Sequence, residues 1–160
     1  MAIIPLAVLI VEDADSDAQL MVHLLETADY ELTCQVVETA AQMRAALEQT
    51  PWDIVISDYS LPQFDGLAAL KLLQETGVDI PFIAVSGTTD EAAVVAMMKA
   101  GAHDYLTKAN LTRLAPTVER ELGDADTRLA RKRAEAALRE SEYHLRRDRK
   151  STRLNSSHRL

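Results

Sequence analysis

Cysteine is almost missing from this chain: Cys34 is the one instance in 160 residues. No disulfide framework can form, so the fold must rest on a packed core, and a reducing cytoplasm is the expected compartment. Long apolar runs are missing too. Ile3 to Val11 is too short to span a bilayer, lacks a basic segment before it, and runs straight into Glu12 and Asp13. It reads as a strand, neither signal peptide nor membrane anchor. Basic residues are scarce in the first 112 positions, where Arg44, Lys71, Lys99 and Lys108 face 17 carboxylates for a net charge of −13. Nothing there invites nucleic acid. The remaining 48 residues reverse the balance, 13 basic against 8 acidic. A boundary near residue 112 follows, with an acidic globular part and a mildly basic extension.

What is present is ordinary for a folded domain, 48% hydrophobic and 26% charged, enough for one core with an appendage. The chain is organised around Asp53-Ile-Val-Ile-Ser-Asp58-Tyr-Ser-Leu-Pro62-Gln-Phe-Asp-Gly66. Ile54 to Ser57 suit a central strand buried on both faces. The run stops on Asp58, and Pro62 and Gly66 then break the chain into a loop. Strand carboxyl ends are where ligands sit in open parallel sheets, so Asp58 is either a reactive carboxylate or a helix cap. Asp65, one residue before the next helical run, fills the capping role better.

The rest alternates in kind. Leu6–Val11, Leu32–Val37, Asp53–Ser57, Pro81–Ser86 and Asp104–Thr107 read as strands. Helices are predicted over Ser16–Thr27, from the Thr39 cap through Gln49, from about Asp65 to Thr76, and over Asp90–Ala100, with Gly77 and Gly101 as stops. Short connections between five such units imply an α/β, doubly wound parallel sheet with helices on both faces. Four strand ends then carry chemistry to one rim: Glu12 and Asp13, Asp58, Ser86, and Lys108. Converging carboxylates repel unless a cation neutralises them, and a hard divalent ion such as Mg²⁺ answers that need. A hydroxyl and an ammonium beside them suit a phosphoryl group. Together they describe phosphoryl transfer onto Asp58.

Four fragments in this order and spacing, Val-Leu-Ile-Val-Glu12-Asp13, Ile-Val-Ile-Ser-Asp58-Tyr-Ser-Leu-Pro62 with Gly66, Ile-Ala-Val-Ser86-Gly, and Gly101-Ala-His-Asp-Tyr105-Leu-Thr-Lys108, resemble the receiver domain of bacterial two-component response regulators over roughly residues 6–122. The resemblance implies a flavodoxin-like five-stranded sheet in the order 2-1-3-4-5. It implies that Asp58 accepts a phosphoryl group from a histidine kinase or histidine phosphotransfer protein, as in a phosphorelay. Asp13, Asp58 and the backbone carbonyl of Ser60 would ligate Mg²⁺, with Glu12 acting through water. Ser86 and Lys108 would hold the phosphoryl oxygens, Tyr105 would be the switch aromatic that follows Ser86, and Ser60 and Thr88 would tune phosphoryl lifetime. Such a domain is a phosphoacceptor switch, not an enzyme beyond self-catalysed phosphotransfer and autodephosphorylation. Two positions depart from the family pattern. Glu12 replaces the commoner aspartate, and Ala109 follows Lys108 where proline with a cis bond is usual; a cis bond before a non-proline residue costs about 3 kcal/mol, so a trans Lys108–Ala109 bond is expected.

The extension contains no proline after Pro116 and no glycine after Gly123. It reads as one helix, starting after a short turn at Leu111–Leu114 with Pro116 in its first turn, and with a weak point at Gly123. The helix from about Pro116 to Lys150 is a rod of roughly 50 Å, and residues 123–150 of it form a helical signalling linker on this reading. Leu122, Leu129, Ala136 and Tyr143 make a weak heptad that permits homodimeric pairing. Lys132 to Glu142 is similar to linkers that precede PAS sensor domains. Residues 151–160 are polar, break the helical pattern and suggest a disordered end or one added in cloning. His23, His103 and His144 have no ligand spacing, and Trp52 and Cys34 read as packing residues. Two other classes stay open. A hydrolase with an aspartate nucleophile would want a second Asp where Ser60 stands, and a pseudo-receiver would keep the fold as an interaction module without phosphorylation.

Overall fold

In the computed structural model, which describes residues 3–87 and 90–157, strands and helices alternate along the chain. They are β1 (Ile4–Val11), α1 (Asp15–Glu26), β2 (Tyr30–Val37), α2 (Ala40–Gln49), β3 (Ile54–Asp58), α3 (Gly66–Glu75), β4 (Phe82–Ser86), α4 (Glu91–Ala100) and β5 (Asp104–Thr107). A 3₁₀ turn over Lys108–Arg113 leads into α5 (Leu114–Ser157). All neighbouring strands are parallel, in the order β2-β1-β3-β4-β5. The doubly wound sheet expected from the sequence is present, flavodoxin-like strand order included.

The strands are buried on both faces because alternate residues feed two separate cores. Leu9, Val11, Val55, Phe82 and Ala84 point to one side, among Met43 and Ala46 of α2, Leu70 and Leu73 of α3, and Met97 of α4. Val8, Ile10, Ile54, Ile56, Ile83 and Val85 point to the other, among Ala18, Met21 and Leu25 of α1 and Leu114 and Val118 of α5. Period-two alternation across β1, β3 and β4 thus sorts the helices three to one face and two to the other.

Thr39 and Asp65 cap their helices as expected, and Asp90, read as the first residue of its helix, is the cap of α4. Thr39 Oγ1 accepts from the Gln42 N–H at 3.2 Å, Asp65 Oδ1 from Ala68 N–H at 2.8 Å, and Asp90 Oδ1 from Ala92 N–H at 3.0 Å. Gly101 closes α4 at φ 113°, in the left-handed region glycine favours. Trp52 is buried and donates its indole N–H to the Ala46 carbonyl at 2.9 Å, a packing residue as read.

Several boundaries differ from the sequence reading. β1 begins at Ile4, β2 at Tyr30, and β3 runs from Ile54 to include Asp58 itself. At its amino end β1 pairs only with β2, Pro5 opposite Glu31, and β3 joins from Val8 onward. Pro5 therefore sits where one side of the strand is still an edge, and its missing N–H leaves no ladder bond unmade. The last α-helix starts at Leu114, with Pro116 in its first turn where an N–H has no intrahelical partner. The break expected at residue 151 is corrected: the helix continues to Ser157. No peptide bond among the described residues is cis, so Lys108–Ala109 is trans.

The chain divides into two compact units, the first running through Ala125, three residues beyond the boundary at 122, and the second from Asp126. Within the second unit Leu129, Leu138, Tyr143 and Leu145 are exposed on a helix otherwise rich in charge. No helix among the described residues is long and apolar enough to cross a membrane.

Candidate functional site

Register carries the reactive residues to one rim. Val11 pairs with Ser57, Asp58 with Val85 and Ser86 with Thr107. Each residue that follows these pairs therefore emerges at the same end of the sheet, Glu12 after β1 and Lys108 after β5. Carboxylate oxygens of Glu12, Asp13 and Asp58 lie within 4.8 Å of one another. Glu12 and Asp58 are buried and Asp13 is exposed. The Lys108 ammonium reaches Asp58 Oδ2 at 2.9 Å, Asp17 Oδ2 at 2.6 Å and Glu12 Oε2 at 3.4 Å.

The two buried acids, Glu12 and Asp58, are held by backbone. Glu12 Oε1 accepts the N–H groups of Asp13 and Ala14, both at 3.1 Å. Asp58 Oδ1 accepts the Ser60 N–H at 3.0 Å. Burial pushes the Glu12 carboxyl up from 4.5 to about 7; the charge of Asp58 and hydrogen bonds with the Asp13 and Asp58 side chains add to that, and the Ala14 N–H offsets part of it. For Lys108 burial disfavours the charge, but hydrogen bonds to Asp17 and Asp58 outweigh it and hold the ammonium protonated.

The donor set fits a hard divalent cation. All candidate ligands are oxygens, and Glu12 Oε2 is buried with no hydrogen-bond partner, Lys108 standing off at 3.4 Å. A buried carboxylate oxygen left so is costly unless water or a cation satisfies it.

Ser86 ends β4 fully buried. Tyr105 is half-buried on β5, opposite Ala84 and packed against the core shared with α2 to α4. Thr88 lies outside the described residues. His103 is used structurally, its Nδ1 accepting the Phe82 N–H at 3.0 Å. Asp17 is the participant that the sequence reading missed. It lies in the first turn of α1 and meets Lys108 across 91 positions of sequence. The available signal was that α1 starts directly behind the Glu12-Asp13 pair, so its first-turn carboxylates stand near the same rim.

The response regulator receiver domain model matches residues 8–119. The DNA-binding transcriptional regulator NtrC of Escherichia coli is 36% identical over 77 residues, covering 48% of this chain and 16% of that protein. A protein-glutamate methylesterase/protein-glutamine glutaminase of a Nocardioides species is 34% identical over 118 residues, 70% of this chain and 31% of that protein. The chain therefore spans less than a third of the length of either relative. Among solved structures, the signal receiver domain of a signal transduction histidine kinase from Syntrophus aciditrophicus is 31% identical with a TM-score of 0.63, covering 74% of this chain and 91% of that one. On its sheet order, its acidic rim and these likenesses, the chain belongs to the response regulator receiver domain family.

Proposed function

We infer that this chain is a phosphoacceptor switch in which Asp58 takes a phosphoryl group from a phosphohistidine. The observation that carries the reading is the buried Asp58 carboxylate, joined at 2.9 Å to the Lys108 ammonium and flanked by Glu12 and Asp13. An Asp58 oxygen attacks phosphorus, the P–N bond of the donor breaks, and the leaving imidazole keeps the electron pair and takes a proton. Lys108 holds phosphoryl oxygens and offsets the charge that arrives with them. Ser86 supplies a hydroxyl from the neighbouring strand end, and Tyr105 follows it as the switch aromatic. Asp13, Asp58 and the Ser60 carbonyl would hold Mg²⁺, with Glu12 acting through water. The ion supplies positive charge that lets the carboxylates and the entering phosphoryl oxygens share one crevice. Ser60 and Thr88 tune how long the phosphoryl group survives.

The donor on this reading is a histidine kinase or histidine phosphotransfer protein, and the output passes through α5, with pairing of two copies along that helix as a mode of response. The test is fluoroberyllate binding with and without Mg²⁺, alongside sizing in solution. Mg²⁺-dependent binding that Asp58→Asn abolishes without unfolding the chain is the expected result. Absence of binding at saturating Mg²⁺, or phosphorylation of Asp58→Asn at another residue, overturns the assignment.

A further inference from the structure

Lys108 has three N–H bonds to donate, and among the described residues three carboxylates already face its ammonium: Asp17 at 2.6 Å, Asp58 at 2.9 Å and Glu12 at 3.4 Å. The contacts to Asp17 and Asp58 are hydrogen bonds, that to Glu12 is not, so phosphoryl oxygens on Asp58 compete with the Asp17 carboxylate for the direction and charge of the ammonium. Moving the ammonium away from Glu12 would take the neighbouring cation from a carboxylate with no exposed side-chain surface, whose Oε2 already has no hydrogen-bond partner, which is the costlier loss. The Asp17 side chain is 31% exposed and can be rehydrated. It also lies on a different element, α1, from either strand end.

We propose that Asp17 is a positioning residue that competes with the phosphoryl group for Lys108, holding the ammonium in the resting state and releasing it when Asp58 is loaded. The inference rests on the phosphoacceptor reading above. Free energy spent breaking the Lys108–Asp17 pair is subtracted from ligand binding, so removing the Asp17 charge strengthens the loaded state. Glu12 and Asp58 remain to keep Lys108 in place.

The experiment is calorimetric titration of the full chain, first with Mg²⁺ alone and then with fluoroberyllate at saturating Mg²⁺, at low ionic strength. Asp17→Asn should bind fluoroberyllate about two- to fivefold more tightly, the range set by one partly exposed ion pair. It should bind Mg²⁺ alone no more tightly than the parent, because an anionic neighbour has gone. A folding defect would weaken both, so the opposite signs separate positioning from structure. Asp17→Glu, which keeps the charge, should stay near the parent. Asp15→Asn controls for the general field, since it removes one charge from the same helical turn but not from Lys108. Unchanged or weaker fluoroberyllate binding in Asp17→Asn, or an equal gain in Asp15→Asn, overturns the proposal. Failure of the parent chain to bind fluoroberyllate strikes instead at the phosphoacceptor reading beneath it.

Discussion

Gly66 and Tyr59 approach so closely that a Cβ on residue 66 would stand 2.9 Å from the Tyr59 Cα and 3.1 Å from the Asp58 carbonyl oxygen. The Gly66 N–H donates to the Tyr59 carbonyl at 3.0 Å, so the start of α3 clamps the chain just past Asp58. Both neighbouring atoms are backbone and cannot turn aside. Gly66→Ala should therefore cost about 1–3 kcal/mol of stability and also weaken fluoroberyllate binding, because the segment it displaces carries Asp58 and Ser60. Urea unfolding and calorimetric titration check the two effects. Unchanged binding in a destabilised variant would show that the clamp serves folding only.

The acidic rim should make the folded chain responsive to divalent ions. Binding to the native state alone adds about 2.7 kcal/mol at a hundredfold excess over the dissociation constant, so Mg²⁺ should raise Tm by several degrees. Asp13→Asn should remove most of that gain. Thermal denaturation with and without Mg²⁺ measures it, and an equal gain in the variant would remove Asp13 from the set.

Glu12 gives this response a pH dependence. In the unfolded chain its carboxyl ionises near 4.5, whereas in the folded chain it holds its proton to about 7. Between those values unfolding releases a proton, so the Glu12 contribution to stability falls as pH rises from 4.5 to 7 and is level above that. A cation that draws on the ionised carboxylate must displace this proton. Mg²⁺ affinity should accordingly be weaker at pH 6 than at pH 8, with proton release visible as a buffer-dependent heat. Glu12→Gln should abolish both the release and the steepness of the pH profile.

Cys34 is half-buried on β2, and burial, helped by the charge of Glu26, pushes its thiol up from 9.0 to about 11. The thiolate is the reactive form, and a rise of two pH units leaves about a hundredfold less of it at neutral pH. Iodoacetamide should label Cys34 at pH 7 far more slowly in the folded chain than in urea. Equal rates, read by mass spectrometry, would contradict the burial of this side chain.

Much of the sheet was legible in the sequence because β3 and β4 are short apolar runs that stop on Asp58 and Ser86, and burial on both faces demands that pattern. The start of β2 was not, because Tyr30 to Gln35 alternate between half-buried and exposed at the edge of the sheet, where apolar residues are not required. Residues 151–157 read as a break because Ser, Thr and Asn are middling helix formers, yet they continue a helix already formed. Glu12, Asp13, Asp58, Ser86 and Lys108 were placed at the rim because each stands at the end of a run legible within a single strand. Asp17 escaped because its partner Lys108 lies 91 positions away, and the start of α1 directly behind Glu12-Asp13 points to the rim without pointing to that contact.

The parallel register that aligns Glu12, Asp58, Ser86 and Lys108 also decides where this chain can tolerate changes of length. Adding or deleting one residue within β1, β3 or β4 would move its terminal group by about 3.3 Å and turn it to the opposite face; in β3 that takes Asp58 out of reach of Lys108, now 2.9 Å away. Insertions before the strands begin, in the connections at the far end of the sheet such as Ala28–Asp29 or Gly77–Ile80, leave that alignment untouched. Lengths at the amino ends of the strands are free to drift, while the distance from core to rim is fixed to the residue.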